Sequence, residues 1–112
     1  MGGLPGVKMT SAGTSSIINV NPITTFSPGM GAFPSWNLGL ICTASAGASL
    51  TYTVQVTADQ QPSTNGNWNN HDTLVNLTGS ANDNVAFPIT GLRLNVTAFS
   101  SGSINLGVCQ WP

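Results

Sequence analysis

The stretch 49–57, SLTYTVQVT, is the most regular part of the chain and decides its fold class. Apolar and polar side chains alternate along it without a break, which is the period expected of a β-strand with one buried face. Threonine and tyrosine also favour a pleated, half-buried surface. The predicted buried positions of this strand are Leu50, Tyr52, Val54 and Val56.

Strand patterns also occur on both sides of this stretch, with no helical pattern and no internal repeat. The further strand candidates are 14–20, 38–43, 72–78, 85–89, 92–99 and 103–110. The sequence SSG at 100–102 predicts a tight turn, so we expect the last two strands to pair as a hairpin. GSANDN at 79–84 predicts a turn cluster. Pro88 lacks a backbone donor, which favours an edge position for 85–89.

These patterns predict an all-β chain that folds as one β-sandwich, jelly-roll-like in arrangement. The 112 residues suit a single domain. We expect the domain to cover residues 14–112, preceded by a glycine-rich, flexible N-terminal arm over residues 1–13. The predicted core comprises the four residues of 49–57 named above together with Leu92, Leu94, Val96, Ile104, Leu106 and Val108.

Charge is scarce in this sequence, and that excludes several functions. Charged residues make up 4% of the chain, against about 25% in a typical domain. Two basic residues cannot neutralise many phosphates, so we expect no nucleic-acid partner and no polybasic membrane anchor. A surface with so little charge is weakly protected against association, which indicates a protein that faces partners. The alternative is a neutral β-domain of the secreted type.

Cys42 and Cys109 are the only cysteines. Cys42 is in phase with the apolar Leu38 and Leu40, whereas Cys109 is out of phase with its apolar neighbours, so the two thiols need not face the same core. We predict two free, buried cysteines rather than a disulfide. The first ten residues contain no long apolar run, and no segment reaches membrane-spanning length, so we expect no targeting segment.

The only histidine lies in NGNWNNHDTLVNLTG, residues 65–79. Neighbouring residues of a strand point to opposite faces, so Asp72 is badly placed to orient His71 for catalysis. No nucleophile motif and no metal-ligand spacing accompany them, and we expect no enzyme activity, metal or cofactor. Two interpretations stay open. His71 and Trp68 are structural, or Trp68 forms a carbohydrate-binding lip with Asn69, Asn70 and Asp72.

From about residue 48 to residue 110 the chain resembles a known family. The strings TYTVQVT, NWNNHDTLVNLTGSANDNVAFPIT and LRLNVTAFSSGSINLGVCQ are similar to the small capsid decoration proteins, also called staple or cement proteins, of short-tailed bacteriophages of the epsilon15 type. The resemblance implies a jelly-roll-like virion subunit that stabilises the assembled shell. It implies binding to the major capsid (coat) protein across capsomer boundaries as a homo-oligomer, a dimer or trimer, with no catalysis and no metal.

This resemblance implies a location on the outer capsid surface of the virion after synthesis in the host bacterial cytoplasm. For the contact with coat protein we predict apolar residues of the N-terminal arm and of the long loop 21–37, on backbone not expected to bury itself. These candidate contact residues are Leu4, Val7, Met9, Phe26, Met30, Phe33 and Trp36. The alternatives are that they close one end of the sandwich, and that the protein is a carbohydrate-binding module of a phage head or tail fibre.

Overall fold

The computed structural model describes residues 2–20 and 37–111, and every described element is a strand or an irregular connection. The strands are β1 (Gly2–Met9), β2 (Gly13–Thr14), β3 (Ile18–Asn19), β4 (Asn37–Ala44), β5 (Ser49–Thr57), β6 (Asn69–Asn70), β7 (Ala81–Val85), β8 (Gly91–Ser101) and β9 (Ile104–Trp111).

Two antiparallel sheets pack face to face. Sheet A has the order β1-β9-β4-β7, and sheet B has the order β2-β8-β5-β6, with β3 also paired to β8. The predicted single-domain β-sandwich is therefore confirmed. The bounds of β5 match the predicted strand 49–57, and β4, β8 and β9 contain most of their predicted ranges.

The core lies between the inward faces of the two sheets. All ten predicted core residues are buried, because alternation on the three long strands β5, β8 and β9 sends one set of side chains inward. Tyr52 is fully buried and its hydroxyl donates a 2.6 Å hydrogen bond to the Gly79 carbonyl. This bond satisfies the polar end of a large aromatic side chain.

The predicted hairpin between the last two strands is wrong. β8 pairs with β5 in sheet B, whereas β9 pairs with β4 and β1 in sheet A. Both strands carry a complete apolar face, and placing them in opposite sheets lets the two faces bury each other. Gly102 makes the crossing turn with φ of 92°. A Cβ there would lie 2.6 Å from the Ala48 Cβ, so the turn requires glycine.

The predicted flexible arm is also wrong for residues 2–9. These residues form β1, an outermost strand of sheet A, which pairs with β9 from Gly2 to Met9 around a bulge between Leu4 and Val7. Residues 13 and 14 pair with β8 in sheet B. Backbone hydrogen bonds to an existing strand override the low strand propensity of a glycine-rich segment.

The segment 72–85 differs from prediction at two places. Residues 72–78 form no regular strand, and only Leu77 makes a bridge, to Tyr52. Asn76 has φ of 53°, which interrupts the extended conformation. The predicted turn at 79–84 contains instead most of β7, which pairs with β4 over five residues. β4 offers a ladder of backbone groups, and pairing with it outweighs the turn preference of Asn and Asp.

Candidate functional site

The His71 imidazole is buried, with 8% of its surface exposed, and both ring nitrogens are engaged. Nδ1 accepts hydrogen bonds from the backbone N–H groups of Thr73 at 3.1 Å and Leu74 at 3.2 Å. Those donors make Nδ1 the acceptor, so the proton is on Nε2, which donates to the Asn84 carbonyl at 2.9 Å. A ring in this state is a neutral structural element that fixes the start of residues 71–77 against β5.

Asp83 rather than Asp72 is the carboxylate beside this ring. It accepts hydrogen bonds from the Thr73 hydroxyl and from the Asn84 backbone N–H. These two bonds, the Thr73 bond first, hold the pKa of Asp83 below its ordinary value. The carboxylate is therefore kept ionised as an acceptor. Asp72, the sequence neighbour, is exposed.

Trp68 is half-buried and forms part of a stack on the outer face of sheet B. Its Nε1 donates to the Ser63 carbonyl at 2.8 Å, and the Arg93 guanidinium lies 4.3 Å from the ring centroid. Arg93 is itself 9% exposed and donates to the Gln55 side chain at 2.8 Å and the Thr64 carbonyl at 3.0 Å. One face of the indole is thus occupied by a cation from the same chain.

The loop that carries Trp68 is anchored by Asp59. This carboxylate accepts two bonds from Asn67, one from the backbone N–H at 2.8 Å and one from the side-chain amide at 3.1 Å. The backbone bond and then the side-chain bond lower the pKa of Asp59 from its ordinary value. Residues 59–68 are thereby folded back onto sheet B, which supports the structural interpretation of Trp68.

An aromatic side chain is freely exposed next to the His71 region, but it is Phe87. This residue is 54% exposed at the rim of a cleft of about 260 Å³. Polar groups of Asn70, Asp72 and Thr73 line the same cleft. Phe87 is the large aromatic among the described residues that line this cleft, and Trp68 does not line it. Phe87 shares the phase of Val85 and Ile89, which are buried, so alternation alone does not predict that it is exposed.

The predicted partner-contact residues divide into three groups. Val7 and Met9 are half-buried and pack against the core, which accounts for their apolar character within the fold. Leu4 lies on β1, where its backbone pairs with Val108. The remaining candidates, Phe26, Met30, Phe33 and Trp36, lie outside the described residues, as does most of the predicted loop 21–37.

A second cleft opens at one edge of the sandwich, between β1 and the residues of β3. It has a volume of about 250 Å³ and brings Pro5, Val7 and Ile17 together. Val7 is the one predicted contact residue with a described side chain in this cleft. The structure thus joins part of the predicted N-terminal contact region to Ile17, which the sequence analysis had placed in a separate strand.

The outward face of sheet A carries a further surface feature. Ile41 on the central strand β4 is 60% exposed, and its paired neighbour on β9 is Gly107. Gly39 and Cys109 form the next outward pair. Leu38, Leu40 and Cys42 are buried on the inward face of β4, so the alternation of the strand directs Ile41 outward.

Both cysteines are free, as predicted, but only Cys42 is buried. Burial raises the pKa of the Cys42 thiol. The prediction that both thiols are buried is wrong for Cys109, which is exposed because its phase on β9 directs it outward.

No group of three or more metal-ligating side chains occurs among residues 2–20 and 37–111. Nor does the described part of the chain include a helix long and apolar enough to span a membrane. Comparison of the chain with protein-family models, with curated proteins and with solved structures gives no match.

Proposed function

We propose that this protein is a virion structural protein that decorates and stabilises the outer surface of an assembled phage capsid by bridging neighbouring coat-protein capsomers. The observation that carries the proposal is the partly apolar cleft beside β1. It lies at an edge of the sandwich and contains Val7, in the region predicted to contact coat protein. The resemblance of residues 48–110 to decoration proteins supports the same assignment.

The distribution of charge also supports this function. Arg93 is buried under Trp68, and the carboxylates of Asp59 and Asp83 accept hydrogen bonds from their own neighbourhood. Lys8 and Asp72 are the exposed charges that remain. A surface with so few charges neither steers toward polyanions nor resists contact with a neutral protein lattice. Such a surface suits a subunit that stays bound to a shell.

Bridging two capsomers would stabilise the shell by avidity and mass action. The second contact of a bridging protein is intramolecular, so two modest contacts give a tight attachment. A protein that binds only the assembled lattice shifts the assembly equilibrium toward that lattice. No step of this mechanism requires catalysis, a metal or a cofactor.

The copy number per virion tests the proposed role most directly. We expect quantitative mass spectrometry of purified particles to find this protein at an abundance comparable to coat protein. A handful of copies per particle would contradict decoration of the shell and would place the protein in a fibre or tail.

The edge cleft is tested by co-sedimentation with assembled shells that lack the protein. We expect Ile17→Asp to weaken binding about tenfold or more, because it places a charge in an apolar contact. Ser11→Asp adds the same charge at an exposed position outside the cleft and should bind like wild type. Circular dichroism confirms that both variants are folded. Equal binding by the two variants would contradict the cleft as the contact.

A second candidate function is a carbohydrate-binding module of a phage head or tail fibre, and Phe87 is the observation that favours it. A pyranose presents an apolar C–H face to an aromatic ring and hydroxyls to polar groups such as Asn70 and Asp72 in the same cleft. This function predicts glycan binding by the wild type that is lost in Phe87→Ala. Glycan-array binding checks it, with Trp68→Phe as the control that should keep binding.

A further inference from the structure

Two glycines on the outward face of sheet A have no explanation within the monomer. Gly39 lies in β4 and Gly107 lies in β9, the two central strands. A Cβ added at either position would have its nearest neighbour at 3.8 Å, which is ordinary contact. Gly102, by contrast, is required by crowding and positive φ. The fold therefore has room for side chains at Gly39 and Gly107.

Glycine in a strand interior weakens the strand and marks a bulge, a bend or a close approach by another molecule. A bulge is excluded here, because β4 and β9 pair without a register shift from Asn37 with Trp111 to Ala44 with Ile104. Crowding from within is excluded by the distances above. A close approach by another molecule is the explanation that the exposed Ile41 beside these glycines supports.

Ile41 supplies the matching protrusion on the same face. It is 60% exposed and is paired directly with Gly107, while Gly39 is paired directly with Cys109. Each of the two outward pairs thus sets a side chain beside a glycine, with the side chain on β4 in one pair and on β9 in the other. A surface with protrusions beside depressions of its own is complementary to a second copy of itself.

We propose that the outward face of sheet A is the contact surface of a two-fold homodimer, with Ile41 of each copy seated over Gly107 of the other. A two-fold axis parallel to the strands and midway between β4 and β9 exchanges the positions of directly paired residues. The observed register therefore also places Cys109 of each copy over Gly39 of the other. The same four residues of each copy, Gly39, Ile41, Gly107 and Cys109, therefore meet at the centre of the interface. The two side chains of each copy lie over the two glycines of the other.

The charge on this face permits two copies to meet. Its described outward residues are Lys8, Asn37, Gly39, Ile41, Thr43, Asn82, Asn84, Asn105, Gly107 and Cys109. Lys8 is the only charge among them, and it lies on the outermost strand β1. The axis would separate the two Lys8 strands by roughly three strand spacings, about 14 Å. That separation exceeds the Debye length of about 8 Å at physiological ionic strength, so their repulsion is screened.

The size of the face sets the expected strength. Four strands at about 4.8 Å spacing and eight residues at about 3.3 Å give a projected area of roughly 500 Å². A standard stable interface buries about 800 Å² per partner. The dimer is therefore weak in free solution, with a dissociation constant expected between about 10 µM and 1 mM. A dimer also carries two copies of the edge cleft, so its role as a bridge between two capsomers rests on the proposed function.

Sedimentation equilibrium of the full chain over this concentration range tests the dimer. Gly107→Val should weaken dimerisation about tenfold or more, because valine fills the depression over which Ile41 of the second copy lies. The same change should leave the melting temperature of the dilute monomer unchanged or raised, because valine favours a strand and has room there. A residue needed only for folding would show the opposite pattern, with dimerisation kept and stability lost.

Asn105→Val is the matched control. It places the same valine on the same strand and face without filling a glycine position, and it should keep wild-type dimerisation. Ile41→Asp should abolish the dimer by burying a charge, whereas Thr97→Asp on the outward face of sheet B should not. A monomeric wild type at about 1 mM, or a dimer that both Gly107→Val and Ile41→Asp leave intact, overturns the proposal.

Cross-linking gives a second measurement. In the proposed dimer the two Cys109 residues are offset by about one strand spacing across the gap between sheets, a distance of roughly 11 Å. A short bismaleimide should therefore link two wild-type chains, and Gly107→Val or Cys109→Ser should prevent the link. Shell binding is measured separately. A monomeric protein that binds shells would overturn the dimer alone, and a dimer that binds no shells would overturn the proposed function alone.

Discussion

The outward faces of the two sheets are treated differently by the same chain. On sheet B, residues 59–68 fold back so that Trp68 covers Arg93 and the Thr64 carbonyl accepts from its guanidinium. On sheet A, Ile41 stands 60% exposed beside Gly39 of its own strand and Gly107 of β9. Polar groups are buried on the outward face of sheet B, whereas an apolar side chain is exposed on the outward face of sheet A.

This difference indicates what each face is for. Burying a cation is costly unless hydrogen bonds and an aromatic face compensate it. Residues 59–68, the cover on sheet B, therefore serve the stability of the monomer. An isoleucine that is 60% exposed beside two glycines buries little of its apolar surface within the monomer. The stability of the chain should therefore depend on the cover of sheet B. Its association should depend on the outward face of sheet A (the bare face).

The largest expected loss of stability comes from a substitution at His71, in the segment that follows the cover. His71→Ala removes the acceptor of the Thr73 and Leu74 N–H groups and the donor to the Asn84 carbonyl. Leaving buried backbone groups unsatisfied and opening a cavity should lower the free energy of unfolding by about 3 kcal/mol. Urea denaturation measures it.

His71→Asn is the control for this substitution. An asparagine Oδ1 can accept from the same two N–H groups but leaves the Asn84 carbonyl without its donor, so about half of the lost stability should return. A cost below about 1 kcal/mol for the alanine variant would show that water replaces the ring and that His71 does not hold the segment.

A smaller loss is expected when the stack itself is broken. Arg93→Ala removes two hydrogen bonds and the cation beneath Trp68, and should lower the free energy of unfolding by about 2 kcal/mol. Lys8→Ala removes the other cation of the chain, from the bare face, and should change it by less than about 0.5 kcal/mol. Equal effects in urea denaturation would remove the distinction between the two faces.

The sequence predicted the layers of this fold but not their connections. Alternation places Tyr52 and Leu94 in the core whatever strand lies beside them, because it depends only on the chain's own period. The same alternation carries no information about which strands pair. For that reason β8 and β9 were each predicted correctly as strands but wrongly as a hairpin. Strands such as β1 and β7 form because an open ladder is available to them, which propensity alone does not encode.

The candidate site was less predictable for a related reason. The stack of Trp68 on Arg93 joins two residues that approach only through strand register and a folded-back loop. Ile41 was not predicted as a site residue either, although the inward phase of Leu40 and Cys42 directs it outward. The sequence pattern alone does not show that Gly39 and Gly107 form depressions on this face. That conclusion needs the register of β4 against β9.

The smallest expected effect is a pH dependence of the cover on sheet B. Hydrogen bonds from Asn67 place the folded-state pKa of Asp59 below its ordinary value of 3.8. A carboxyl whose pKa is lower in the folded state contributes stability above its unfolded pKa and loses that contribution as pH falls through the folded value. Stability should therefore fall on acidification below about pH 4, and the slope should be shallower in Asp59→Asn. Urea midpoints measured between about pH 2 and pH 6 check the slope, and Asn65→Ala, which alters the same loop without touching Asp59, should keep it. If Asp59→Asn keeps the full slope, the loop over sheet B is not fastened by this carboxylate, and the cover must depend on the Trp68–Arg93 stack alone.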